Sequence, residues 1–110
     1  MRVIARRTLL AYVASLAGKK DQPAVKAALD AWFHEVRQAN WRNAAEVKNL
    51  YARASIISAD RIVFDIKGNS YRLITAVDFE KSIVWIKWIG THKEYDVVDA
   101  RKVTYHAKRS

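Results

Sequence analysis

RIVFDIKGNSYRLITAVDFEKSIVWIKWIGTHKEYD, running from Arg61 to Asp96, is the stretch that decides the fold. Two apolar runs meet at Gly68-Asn69 and a third follows Glu80-Lys81. Period-two alternation broken by Gly-Asn is the signature of a β-meander. A two-residue Gly68-Asn69 loop tolerates the positive φ of primed turns. It pairs Ile66 with Tyr71, Asp65 with Arg72 and Phe64 with Leu73. One face then carries Ile62, Phe64, Ile66, Tyr71, Leu73, Thr75 and Val77, a core face, and the other carries Asp65, Lys67, Arg72 and Ile74. A turn at Glu80-Lys81 places Val84, Ile86 and Trp88 on the core face, and sets Lys87 beside Ile74 on the face of Arg72. Three basic side chains thus gather on one sheet surface.

The first sixty residues read as a short strand and helices. Arg2 to Arg6 is a plausible edge strand. Thr8 can cap a helix through Leu9, Leu10, Tyr12, Val13 and Leu16 that ends at Gly18. Pro23 suits the first position of a second helix, on which Val25, Leu29, Trp32 and Val36 form an apolar stripe widened by Phe33. Asn43 with Glu46 resembles a capping box for a third helix bearing Val47, Leu50, Tyr51 and Ala54. These elements predict an α+β fold, with the N-terminal helices packed on one face of a small, mostly antiparallel sheet. The other face is then free for function. Length allows one domain, placed at residues 1–100, followed by a basic C-terminal tail over 101–110.

Twenty Lys and Arg against eleven Asp and Glu give a net charge of +9 on 110 residues. That balance fits a strongly negative partner such as nucleic acid. The excess lies in the helical half and the tail, whereas residues 61–96 are nearly balanced and supply placed charges. Tyr71, Trp85, Trp88 and Tyr95 are interleaved with these charges, and exposed rings can stack on bases. The absence of cysteine excludes a disulfide framework and a cysteine-based metal site. The three histidines lack ligand spacing, so neither a metal nor another cofactor is expected. No window approaches the length of an apolar membrane span and no signal-peptide core is present, so the default expectation is a cytoplasmic protein without a membrane partner.

The run Val63-Phe64-Asp65-Ile66-Lys67-Gly68-Asn69-Ser70-Tyr71-Arg72-Leu73-Ile74, followed by Ile89-Gly90-Thr91-His92-Lys93-Glu94-Tyr95-Asp96, resembles the HigB family of bacterial type II toxins. So do Ala31-Trp32-Phe33-His34-Glu35-Val36, Trp41 and Ala45-Glu46-Val47-Lys48-Asn49-Leu50-Tyr51. The resemblance covers roughly residues 2–100. It implies a RelE-like fold and a ribosome-dependent endoribonuclease (an mRNA interferase) that cuts translated mRNA. The partners it implies are mRNA in the ribosomal A site, rRNA, and a cognate helix-turn-helix antitoxin of the HigA type. The alternatives are a ParE-like toxin that inhibits another enzyme, such as a topoisomerase, and a non-catalytic RNA- or ribosome-binding module. The chain departs from the family pattern where Lys87 stands for an arginine, Trp88 for a phenylalanine and Asp65 for an asparagine.

RNA carries its own nucleophile, the 2′-hydroxyl. A nuclease therefore needs to deprotonate it, stabilise the phosphorane and protonate the leaving 5′-oxygen. Arg72 is the candidate phosphate ligand, because a guanidinium matches two phosphate oxygens at once. Lys87 adds a point charge. Histidine ordinarily titrates near neutrality, which makes His92 the candidate proton carrier, and Tyr95 can donate a proton or stack. Lys67, Lys93, Arg61 and Lys48 are candidate RNA- or ribosome-binding residues. Each has a structural competitor. Asp65 opposite Arg72 reads equally as a cross-strand salt bridge. His92 has core-face parity in a regular strand and needs a bulge or strand end at Gly90 to re-aim it. Tyr95 can be half-buried packing, Asp96 and Asp99 can cap a terminal turn, and His34 and His106 read as surface or tail residues.

Overall fold

In a computed structural model, which describes residues 1–103, the chain runs β1 (Arg2–Ile4), α1 (Arg6–Ser15), α2 (Gln22–Gln38), α3 (Ala44–Leu50), β2 (Ser55–Ile56), β3 (Arg61–Ile66), β4 (Tyr71–Asp78), β5 (Ile83–Thr91) and α4 (His92–Tyr95). The strands form one sheet in the order β1-β5-β4-β3-β2. β1 runs parallel to β5, and every other neighbouring pair is antiparallel. This is the α+β architecture that the pattern predicts, and it is consistent with the RelE-like fold that the resemblance implies. His106 and the rest of the tail from residue 104 lie outside the described residues.

The β3–β4 hairpin adopts the anticipated register, with Asp65 opposite Arg72 and Phe64 opposite Leu73. Its positive φ values fall on Lys67 and Gly68 rather than on Gly68 and Asn69, and Ser70 N donates to Lys67 O at 3.1 Å. The β4–β5 hairpin holds a surprise. Thr75 faces Ile86, but Ile74 faces Trp88, so Lys87 is an extra residue in a β-bulge. A bulge reverses parity beyond it. Ile86 and Ile89 are therefore both buried against the helices. Trp88, anticipated on the core face, sits on the opposite face instead.

The core lies between that sheet face and α1–α3. On α2 the stripe Val25, Leu29, Trp32, Phe33 and Val36 is buried as its spacing requires. Phe64 is fully buried, with the rings of Trp32, Tyr51 and Trp41 at 5.4, 5.1 and 6.4 Å. Other elements differ in detail from the sequence pattern. α1 begins before Thr8, with Ala5 as its N-cap and no side-chain cap. Asn43 caps α3 by accepting from Glu46 N at 3.0 Å, but the Glu46 carboxylate accepts from Arg42 N rather than completing the box. Leu50 points away from the core and is 54% exposed. β2 is a two-residue strand that the sequence does not announce.

The second sheet face is not bare, which corrects the expectation of a free surface. Val63, Ile74 and Ala76 on it are buried. α4 packs on β4 and β5, and the chain after it returns to β3, where Arg61 donates to the carbonyls of Ala100 (3.2 Å) and Val103 (2.8 Å). At the end of the face nearest the β3–β4 turn, Asp65 and Arg72 are half-buried. Tyr71 ties the same end to the helices: its hydroxyl donates to Asp21 Oδ2 at 2.6 Å. Burial, and then the hydrogen bond and charge of Asp21, push this phenol up to about 12 from an ordinary 10.0. A raised value means that the folded state favours the protonated phenol. Its contribution is complete below pH 10 and is lost as pH rises from there through 12. Tyr71→Phe is accordingly expected to lower stability by about 1–2 kcal/mol at pH 8 in urea titrations. The gap from the parent should close as pH climbs through that window, and a gap independent of pH would contradict this account.

Candidate functional site

Arg72 is the centre of the group that the sheet end exposes. Across the β4–β5 ladder it faces Gly90, which leaves room above the strand. Across β3–β4 it faces Asp65, whose Oδ1 accepts a hydrogen bond from Arg72 Nη1. Asp65 Oδ2 lies 3.6 Å from Arg53 Nε, so one carboxylate is shared by two guanidinium groups. The pair is shielded: the side chains of Arg72 and Asp65 are only 17% and 12% exposed. Arg72 Nε is buried without a hydrogen-bond partner among the described residues. An unpartnered buried donor of this kind is uncommon in a folded protein and sets the Arg72 environment apart.

His92 reaches this cluster because of the bulge at Lys87, not because of Gly90. With parity reversed upstream, residues 88, 90 and 92 lie toward Arg72. His92 Nδ1 is 3.2 Å from Asn69 O and 3.5 Å from Arg72 Nη2. With its proton on Nδ1 the ring donates to Asn69 O and leaves Nε2 as the open ring nitrogen. Nε2 faces Asp96 Oδ1 at 3.7 Å, and the ring is 44% exposed. The local fold that holds it is a capping box. Thr91 Oγ1 accepts from Glu94 N at 3.1 Å, and Glu94 Oε1 accepts from Thr91 N at 2.8 Å. That one turn sets His92 at its start and Tyr95 at its end. The Arg72 guanidinium lies 5.6 Å from the Tyr95 ring centroid, within cation–π range. Trp88 stands 6.4 Å from Tyr95 on the other side. Gly90 makes this possible, since a Cβ there would sit 2.4 Å from Trp88 Cη2.

The remaining anticipated residues are dispersed. Lys87 is half-buried on the same face, but stands three residues along β5 from Gly90, roughly 10 Å at strand rise. It therefore lies at the rim of the Arg72 group. Lys67 is half-buried in the hairpin turn and Lys93 is exposed on α4, both beside the cluster. Arg61 holds the C-terminal carbonyls described above. Lys48 Nζ donates to Ala52 O (2.7 Å) and Ala54 O (2.8 Å), clamping the loop that presents Arg53. Arg53 itself has no signal in the sequence, because it comes from a loop between α3 and β2. Asp99 caps the terminal turn through Arg101 N at 3.0 Å, whereas Asp96 faces His92.

Residues 25–98, two-thirds of the chain, match the family described as HigB_toxin, the RelE-like toxic component of a toxin-antitoxin system. The chain belongs to the HigB toxin family. No curated protein matches it. The matched segment of this HigB chain contains Arg53, Asp65, Arg72, Lys87, Trp88, His92, Tyr95 and Asp96, the whole cluster. Membership in such a family implies an antitoxin partner, and RelE-like toxins are generally ribonucleases. No helix among the described residues is long and apolar enough to cross a membrane.

Asp65 decides how much of this charge is on display. Asp65→Ala strips the partner from a shielded guanidinium and should cost about 2–3 kcal/mol in urea unfolding at constant slope. Asp65→Asn keeps an acceptor for Arg72 while removing the negative charge, and should cost clearly less. Equal losses would show that the carboxylate's charge, not its position, is what the fold uses.

Proposed function

We propose that this HigB-family protein is a ribosome-dependent mRNA interferase, a cytoplasmic endoribonuclease that cleaves translated mRNA in the ribosomal A site by 2′-hydroxyl attack without a metal ion. The convergence of Arg72, His92 and Tyr95 at the β3–β4 turn end of the sheet carries this reading. Arg72, with Arg53 beyond Asp65, binds the scissile phosphate and stabilises the charge that builds on it. His92 Nε2 accepts the 2′-hydroxyl proton, with Nδ1–H anchored on Asn69 O to fix the ring. Tyr95, supported by Trp88 and Arg72, stacks on the base or delivers a proton to the departing 5′-oxygen. Lys87 adds charge at the rim, and Lys67 and Lys93 grip the backbone on either side. The proposed antitoxin is of the helix-turn-helix, HigA-like type.

Cleavage chemistry of this kind balances without a hydrolytic water: the 2′-oxygen displaces the 5′-oxygen and leaves a cyclic phosphate and a free 5′-hydroxyl. The test is expression in bacteria together with translation in a reconstituted system containing EDTA-treated protein. Growth arrest, relief by a co-expressed antitoxin, and new 5′-hydroxyl ends within translated codons are expected. Arrest with intact transcripts refutes the nuclease reading, and an accompanying DNA-damage response would point instead to a topoisomerase.

A further inference from the structure

The end of β5 remote from Arg72 carries a second concentration of positive charge. A cavity of about 540 Å³ opens there between β1, the end of α2 and the β4–β5 turn, lined by Arg2, Arg37 and Lys81 together with Met1, Phe33 and Ser82. Its lining contains no acidic side chain. Arg2, Arg37 and Lys81 are exposed, and none forms an ion pair among the described residues. The acidic groups in the neighbourhood are engaged or turned aside. Asp30 pairs with Lys26 and Arg6. Asp78 accepts from Lys81 N at 2.9 Å, inside the turn. Glu80 is exposed on that turn and does not line the cavity.

Two further features favour an anion here. The C-terminal carbonyls of α2 would ordinarily present the negative end of the helix dipole. The Met1 ammonium satisfies them, donating to Val36 O (3.1 Å), Arg37 O (3.1 Å) and Ala39 O (2.8 Å). The Phe33 ring is flanked by Arg37 at 5.6 Å and by Arg6 at 4.4 Å, which holds both guanidinium groups on this side of the molecule. In the sheet, Arg2 faces Ile83 and Arg72 faces Gly90. With Lys87 bulged out, six ladder steps therefore separate the two basic centres along the strands, roughly 20 Å at strand rise.

We propose that this groove is a second RNA-backbone site, in which Arg2, Arg37 and Lys81 grip phosphates of a structured RNA remote from Arg72 and so anchor the protein while the Arg72 group acts. The proposal rests on the RNA reading above for its partner, but not for its chemistry. Phosphate contacts position without reading sequence, and each one steepens the salt dependence of binding.

The test uses the Arg37→Gln/Lys81→Gln pair, with Arg37→Glu/Lys81→Glu beside it. The glutamine pair retains much of the aliphatic stem that packs on Phe33, and thermal melts verify folding. Binding of a labelled RNA duplex of about 16 base pairs is followed by anisotropy across a KCl series. The glutamine pair should flatten the slope of log K on log salt by about two and weaken binding about tenfold near physiological salt. The glutamate pair should weaken it further. Arg72→Ala should abolish message cleavage while changing the slope by about one at most. Duplex binding by both pairs with the parent's slope and affinity overturns the proposal. So does unchanged RNA binding with lost antitoxin binding, which assigns the groove to a protein. Parent protein that binds the duplex through these residues but never cleaves would instead sink the nuclease reading and leave the groove standing.

Discussion

Arg72→Ala is expected to reduce message cleavage by about a thousandfold or more in single-turnover translation assays, with the chain still folded. Loss of one preorganised donor to a developing charge ordinarily costs a factor of about 10²–10³. Here the same side chain also touches His92 Nδ1 and lies against Tyr95, so its loss loosens the proton carrier and the ring together. Arg72→Lys separates charge from geometry. It retains the cation but loses the two-point match to phosphate, and should sit between parent and alanine, about ten- to a hundredfold down. Because Asp65 is shielded and would keep only Arg53 as partner in the alanine variant, thermal melts must accompany the rates. Cleavage by Arg72→Ala within tenfold of the parent would remove Arg72 from the phosphate site.

The β3–β4 hairpin was legible because Gly68-Asn69 marks the turn and the alternation on both sides admits one register. β5 was not, and the reason is specific. In Ile83-Val84-Trp85-Ile86-Lys87-Trp88-Ile89 regular alternation keeps Lys87 out by placing Val84, Ile86 and Trp88 on the core face, yet Ile89 on the other parity is as apolar as any of them. Burial decides it: Ile86 and Ile89 both find places among the helices, which demands one extra residue between them. No Gly or Pro flags that residue, while Gly90 attracts attention for a different purpose, making room for the Trp88 indole.

The site shows the same division. Thr91-x-x-Glu94 is a capping-box pattern readable from sequence, and it fixes the turn that carries His92 and Tyr95. Arg53 is unreadable, since a loop residue's position depends on the closure of the whole chain. Arg61 and Lys48 look like surface cations in sequence, yet both donate to backbone carbonyls left without partners by irregular segments. A long basic side chain reports charge in the sequence, but only the fold tells whether that charge faces solvent or the protein's own carbonyls.

Two single-residue deletions in β5 should therefore behave in opposite ways. Deleting Trp85 is expected to unfold the protein, whereas deleting Lys87 is expected to leave it folded. Without Lys87, Trp88 follows Ile86 directly and still faces Ile74, while Ile89 still faces Leu73; the bulge disappears and every other pairing survives. The deletion removes one charge at the rim, so message cleavage should fall about ten- to a hundredfold with little change in melting temperature. Without Trp85, the residues after Val84 shift by one, and keeping Trp88 opposite Ile74 uses up the bulge. Keeping Ile89 in the core then forces Ile86 outward and Lys87 inward. Exposing the isoleucine costs about 2 kcal/mol and burying an unpartnered lysine several more, a sum comparable to the whole stability of a domain this size. Trp85→Ala is the control, because it removes the indole but preserves the register, and it should melt well above the deletion. If the Trp85 deletion melts with its alanine counterpart, or the Lys87 deletion unfolds, then the bulge does not set the faces of β5, and the placement of His92 beside Arg72 needs another cause.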